Sequence, residues 1–222
     1  MEAIVLAGGF GTRLKSLVQD VPKPMAPVNG IPFLTFVLDE LEKFHFTKVV
    51  LAVGYKFEII MNYFGNKYKN MSVEYAIENE PLGTGGAIVQ AMNHITLDHF
   101  FVINGDTLFK VDFNKMILDE PLVIASKYLS NNIRYGQMKV ESNYITAFQE
   151  KGVSSSGYIN GGIYYISKKI IDNMSLPKKF SFEKEFLEVR VKNNPIRTVI
   201  FDEYFIDMGI PEDYLRLQED LK

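Results

Sequence analysis

The sequence predicts an α/β protein: a parallel sheet with helices on both faces, continued by a mixed or antiparallel extension. Three observations carry this. Short β-branched and aromatic runs alternate with amphipathic stretches through the first half of the chain. Beyond residue 110 strand-like runs follow one another without full crossover helices. A chain of 222 residues that is 47% apolar, with 17 Phe and 12 Tyr, is large enough for one well-packed domain spanning residues 1–222.

Taken in order, residues 2–6 form a buried strand that ends in glycines. Residues 32–46 form a helix, because Phe33, Phe36, Val37, Leu41 and Phe44 fall close to one face. Residues 48–53 form a strand and 56–64 a second helix. Residues 73–77 form a strand, 84–94 a helix rich in small residues, and 99–103 a buried strand that stops at Asn104-Gly105-Asp106. Further strands are expected at 122–128, 137–141, 144–149, 162–166 and 196–201. Helices are expected at 181–192 and 211–221. The one low-complexity patch, Ser154-Ser155-Ser156-Gly157, reads as a mobile loop, and there is no internal repeat or linker.

Composition excludes several classes. Net charge is −3, from 24 basic and 27 acidic residues interspersed along the chain, so no clustered basic surface for nucleic acid is expected. With no cysteine there are no disulfides, thiolate nucleophiles or zinc–thiolate sites. No apolar run approaches the roughly 20 residues needed to span a bilayer, and the N-terminus is too short and glycine-rich for a signal peptide. A cytoplasmic protein with no membrane partner is the expectation. His45, His94 and His99 lack metal-ligand spacing and receive no role.

The chemistry begins at the end of the first strand, with Ala7-Gly8-Gly9-Phe10-Gly11-Thr12-Arg13. In a parallel sheet, ligands bind outside the carboxyl ends of the strands. Glycines let backbone approach a ligand and let successive N–H groups line an anion site. Arg13 adds a charged fork suited to phosphate oxygens. Further on, Pro22-Lys23-Pro24 presents a lysine from a stiff, non-helical segment. There is no GK[ST], which excludes a Walker A loop, and GGFGTR lacks the third glycine of a dinucleotide fingerprint.

The conjunction LAGGFGTRL (residues 6–14) followed by PKP (22–24) resembles the signature of the sugar-nucleotide pyrophosphorylase, or nucleotidyltransferase, family. The resemblance spans nearly the whole chain. It implies a Rossmann-like three-layer sandwich with a mixed, mostly parallel central sheet, and transfer of a nucleoside monophosphate to a sugar 1-phosphate with release of pyrophosphate. It implies that Leu6, Ala7, Gly8, Gly9, Gly11, Thr12 and Arg13 hold the triphosphate, with Arg13 and Lys23 in catalysis. The stretch GTRLKSLVQDVPKPMAPVNGIPFL is most similar to the branch that uses GTP and a heptose 1-phosphate, whose product is a GDP-sugar for surface polysaccharide.

Joining two anionic groups calls for a cation, and Mg²⁺ held by one or two carboxylates is the usual solution. Asp106, just after the strand HFFVIN, matches the family's G-D pair; Asp207, in the D-x-G-x-P stretch Asp207–Pro211, matches its second ligand. Phe205 stands where many relatives carry Trp. The segment LGTGGA implies nucleobase and ribose contacts from Gly83, Thr84 and Gly85. Guanine's N1–H and 2-amino group need acceptors, such as the carboxylate of Glu80 or of Glu78, or a backbone carbonyl.

On the sugar side the resemblance implies Asn104, Tyr135, Gly136, Glu150, Lys151, Asn160 and Gly161. Gly152 replaces the proline of the family's E-K-P motif. A monomer or homodimer is expected. Mannose 1-phosphate or another nucleotide–sugar pairing is the alternative within enzymes. A non-catalytic NDP-sugar-sensing subunit on the same fold is disfavoured, because Arg13, Lys23, Asp106 and Asp207 are all intact.

Overall fold

The computed structural model describes residues 1–9, 21–131, 134–150, 156–172 and 176–222. The chain starts with β1 (Glu2–Leu6) and the ribbon β2 (Pro27–Val28) and β3 (Ile31–Pro32), then α1 (Phe33–Lys43), β4 (Lys48–Val53) and α2 (Phe57–Phe64). β5 (Lys67–Tyr68), β6 (Met71–Ile77), α3 (Gly83–Ala91), β7 (His99–Asn104) and β8 (Thr107–Phe109) follow. Then come β9 (Leu122–Leu129), β10 (Gln137–Glu141), β11 (Tyr144–Gln149), β12 (Gly157–Ser167) and the short α4 (Lys168–Asp172). A π-helical turn, Phe182–Leu187, runs into α5 (Glu188–Arg190), and β13 (Ile196–Phe201), β14 (Phe205–Asp207) and α6 (Pro211–Asp220) close the chain.

Among the described residues, ten strands form one sheet in the order β10-β11-β13-β9-β12-β7-β1-β4-β6-β5. The run β7-β1-β4-β6 is parallel, as is β13 on β9. The other neighbours are antiparallel, so antiparallel pairing takes a larger share than the alternation of the first half suggests. The cause is local. The strands from β9 to β12 are joined by links too short for a crossover, and β10 turns into β11 through Ser142 and Asn143, both at positive φ (49° and 64°), the geometry of a tight hairpin.

Alternation along each central strand divides the core into two layers. Ala3, Val5, Val49, Leu51, Phe101 and Ile103 face α1, α2 and α6. Ile4, Val50, Ala52, Phe100 and Val102 face α3 and the π-helical turn. The three-layer sandwich with a mixed central sheet is thus present. In the first layer Phe46, Phe101 and Phe113 pack edge to face, with centroids 5.2–5.3 Å apart. The expected 32–46 helix stops at Lys43, because His45 adopts φ 58° and turns Phe46 back into that cluster. No helix among the described residues is long and apolar enough to cross a membrane.

The helix expected at 84–94 divides into α3 and a 3₁₀ turn, Met92–His94. Its glycines serve packing. A Cβ on Gly85 would lie 2.1 Å from the Phe180 ring, and one on Gly86 2.5 Å from the Lys178 carbonyl. The expected helix at 181–192 starts as a π turn capped by the Ser181 hydroxyl, which accepts from the Lys184 N–H. Ser154 and Ser155 lie outside the described residues, and Gly157 opens β12. Gly85→Ala should destabilise the fold by about 2 kcal/mol through overpacking. Urea unfolding should show that loss, and Phe180→Ala in the same chain should cost less than it does alone.

Candidate active site

The carboxyl ends of β1, β4, β6 and β7 open into a cleft of about 490 Å³. Leu6, Gly8, Gly9, Lys23, Glu78, Glu80, Gly83, Thr84, Asn104 and Asp106 all line it, together with Tyr55 and Gly54, which no motif singles out. Gly11, Thr12, Arg13 and Lys151 lie outside the described residues. Ala7 is buried and holds the strand end through its N–H to the Ala52 carbonyl at 2.8 Å.

Lys23 is presented differently from expectation. Pro22 is extended (ψ 149°), but Lys23–Met25 closes a single 3₁₀ turn, which the fixed φ of Pro24 accommodates. The Lys23 side chain is only 13% exposed, and its Nζ lies 2.5 Å from Asp106 Oδ2 and 3.9 Å from Asp207 Oδ1. One ammonium therefore faces two carboxylates that stand 101 positions apart in the chain.

The backbone explains how they meet. β14 pairs with β8 so that Asp207 lies opposite Thr107, and Met208 N–H donates to the Asp106 carbonyl at 2.9 Å. Gly105 lets the β7 end touch β1, donating to the Leu6 carbonyl at 3.0 Å where a Cβ would sit 2.6 Å from that oxygen. Gly209 leaves room for the Asp207 carboxylate, whose oxygens lie 3.0 and 3.1 Å from where its Cβ would be. Phe205 packs edge-on to Phe109 (5.2 Å) and Tyr135 (5.8 Å).

Burial, followed by the neighbouring Asp106 charge, pushes the Asp207 carboxyl up to about 6, against the pull of Lys23 and Arg134. Two crowded, part-buried carboxylates are a hard-oxygen donor set that fits a divalent cation, with water and phosphate oxygens completing its shell. Among the described residues no cluster of three or more His, Asp or Glu converges, so such an ion would rely on substrate for further ligands.

At the other end of the cleft, Glu78 is the enclosed carboxylate. Its Oε1 fills the space where Gly8 lacks a Cβ, and its Oε2 accepts from the Leu82 N–H at 2.9 Å. Burial raises its pKa. Glu80 is exposed and bound to Lys178 Nζ at 2.5 Å, which lowers its pKa. Thr84 faces the cleft, but its hydroxyl donates to Glu183 Oε2 and accepts from the Phe182 N–H, both at 2.8 Å. Gly85 does not line the cleft, because Phe180 covers it.

The sugar-side residues are only partly gathered. Asn104 lines the cleft and abuts Gly162, and Tyr135 reaches the Asp207 ribbon through Phe205. Glu150 is exposed at the end of β11, and Gly136 approaches the Gln149 carbonyl beside it. Asn160 folds its amide onto a bulge in β12, donating to the Tyr164 hydroxyl at 2.9 Å and accepting from the Gly162 N–H at 3.0 Å. Gly161 is sealed under the Phe109 ring. Arg134 and Asp213, which carry no motif, stand beside Asp207.

An α/β sheet whose carboxyl edge carries a glycine turn, a buried lysine and paired aspartates defines a protein that handles nucleotide phosphates. The Nucleotidyl transferase family model matches residues 2–222, and the chain belongs to that family. It is 46% identical to a D-glycero-alpha-D-manno-heptose 1-phosphate guanylyltransferase from Campylobacter jejuni, over 96% of this chain and 97% of that one. It is also 46% identical to one from Aneurinibacillus thermoaerophilus, over 100% and 99%. The crystal structure of HddC from Yersinia pseudotuberculosis complexed with GMP-PN is 40% identical, with a TM-score of 0.88 and coverage of 100% and 99%.

Because the folded pKa of Asp207 lies above the usual carboxylate value, its protonated form stabilises the fold at low pH, and that contribution is lost as pH rises through about 6. Asp207→Asn should therefore raise the stability of the metal-free protein at pH 8 by on the order of 2 kcal/mol. In urea unfolding followed from pH 8 to pH 4, the gain should shrink steadily below pH 6.

Proposed function

We propose that this chain transfers GMP from GTP to D-glycero-α-D-manno-heptose 1-phosphate, giving a GDP-heptose and pyrophosphate. The observation that carries the chemistry is the Lys23 ammonium set between Asp106 and Asp207 at the cleft floor. The pairing of GTP with a heptose phosphate is supported by the two full-length relatives and by the GMP-PN complex of HddC.

The sugar phosphate is already an anionic nucleophile. One of its oxygens attacks the α-phosphorus, the bond from that phosphorus to the bridging oxygen of the β-phosphate breaks, and pyrophosphate leaves with the electron pair. No proton transfer is required, so catalysis is positioning plus electrostatics. Asp106 and Asp207 would hold Mg²⁺, which supplies positive charge between the two phosphate groups. Gly8 and Gly9 bring backbone to the triphosphate, and Gly11, Thr12 and Arg13 would contact its phosphates. With Mg²⁺ held by the two aspartates, the Lys23 ammonium would be free to donate to a phosphate oxygen. Lys151, Glu150, Tyr135, Gly136 and Asn160 serve the sugar phosphate and its hydroxyls.

Guanine recognition falls to Glu78 rather than Glu80. Glu78 is fixed at the inner wall beside Gly8, whereas Glu80 is exposed and neutralised by Lys178. A fixed carboxylate accepts both guanine donors, and an amide in its place offers only one acceptor oxygen. The enzyme would work in the cytoplasm, where GTP is supplied. The GDP-sugar product is an activated donor suited to glycosyl transfer into surface polysaccharide.

Mixing the protein with Mg²⁺, each of GTP, ATP, CTP, UTP and dTTP, and a set of sugar 1-phosphates should release pyrophosphate with GTP and the manno-heptose phosphate. Strong turnover with mannose 1-phosphate instead would move the assignment to that sugar. Lys23→Ala and Asp106→Ala should each lower kcat by about a hundredfold or more, and near-normal turnover in either would sink the mechanism. Glu78→Gln should raise KM for GTP about tenfold or more and erode the preference over ATP, with kcat changed little.

A further inference from the structure

Asp207 stands between two cations. Its Oδ1 faces Lys23 Nζ at 3.9 Å, its Oδ2 faces a guanidinium nitrogen of Arg134 at 3.9 Å, and Gly209, lacking a Cβ, leaves room for the carboxylate. Arg134 is itself held. Another of its nitrogens pairs with the Asp213 carboxylate in the first turn of α6, and its plane lies 5.1 Å over the Tyr135 ring. The Asp213 carboxylate suits that place on its own account, since a negative charge is favoured at a helix N-terminus.

We infer that Arg134 is a positioning residue, which sets the orientation of Asp207 for metal binding and ties that orientation to α6 through Asp213. The inference rests on Asp106 and Asp207 being the metal-holding pair. In the structure the charges alternate: Asp106, Lys23, Asp207, Arg134, Asp213. With Lys23 turned to a substrate phosphate, Oδ1 of Asp207 would be free to hold a metal. Oδ2 keeps its partner, so the carboxylate does not have to find its orientation afresh. A planar, always-charged fork suits this, because it pairs with Asp213 and still turns its charge to Asp207 without giving up its proton. Lysine in the same place provides a point charge that can serve only one of them well.

The test uses the full chain with Mn²⁺ as probe, titrated by electron paramagnetic resonance in the presence of α,β-methylene GTP. Arg134→Gln should weaken Mn²⁺ binding about tenfold or more, the usual effect of losing a partner that orients a metal ligand. Arg134→Lys should fall between Gln and the native protein, and Asp213→Asn should reproduce part of the loss. The Mg²⁺ concentration for half-maximal turnover should rise in parallel, while KM for GTP at saturating Mg²⁺ stays within about twofold of native, a split that general unfolding does not produce. Thermal unfolding by circular dichroism checks that each variant folds, and Arg134→Lys decides if Arg134→Gln does not. Native Mn²⁺ binding in the folded Arg134 variants, alongside its loss in Asp106→Asn, overturns the role of Arg134 alone. Mn²⁺ binding that ignores Asp106→Asn and Asp207→Asn overturns the underlying ligand assignment, and the positioning role with it.

Discussion

Two carboxylates that face one ammonium repel each other, and much of the local structure around the cleft keeps them together. Asp106 sits in the turn between β7 and β8, and Asp207 ends β14 far along the chain. A two-stranded ribbon, β8 on β14, and the hydrogen bond from Met208 N–H to the Asp106 carbonyl fix their spacing in backbone rather than in mobile side chains. Lys23 on one side and Arg134 on the other supply the countercharge. Such a preorganised arrangement costs the free protein stability, which shows in the raised pKa of Asp207, and gives a site that needs little reorganisation when phosphates arrive.

The glycines around the cleft divide into two kinds. Gly8, Gly105 and Gly209 leave room for specific oxygens, those of Glu78, Leu6 and Asp207. Gly85, Gly86 and Gly161 instead admit Phe180, the Lys178 carbonyl and Phe109. The second group contributes to the site indirectly. Phe180 pressed on the start of α3, with Thr84 bridging Glu183 and Phe182, seats that helix against the π-helical turn. The helix start therefore presents Gly83 and Thr84 to the cleft from a rigid base.

Much of the fold was legible in residue order. The strands at Lys48–Val53, Gln137–Glu141, Tyr144–Gln149 and Ile196–Phe201 coincide with the apolar runs that announce them. Misses occurred where backbone conformation overrode periodicity. His45 in the left-handed region shortened α1, and the π turn broke the expected 181–192 helix. The site was legible where a motif is contiguous, as in PKP or Gly105-Asp106. It was illegible at Tyr55, Arg134 and Asp213, single residues whose partners come from other strands. The choice between Glu78 and Glu80 was equally hidden, since two similar carboxylates two positions apart differ only in what surrounds them.

By itself the sequence determined the α/β class, the carboxyl edge of the sheet as the place of the cleft, and the glycines and charged residues that line it. Each of those follows from short-range pattern: strand runs, glycine turns and charged residues at strand ends. Tertiary structure alone decided that one lysine faces both aspartates, that Glu78 rather than Glu80 is enclosed, and that Phe180 packs over Gly85. These depend on distances between residues remote in the chain, and on burial. Both arise only when the sheet assembles and its loops are brought to one edge.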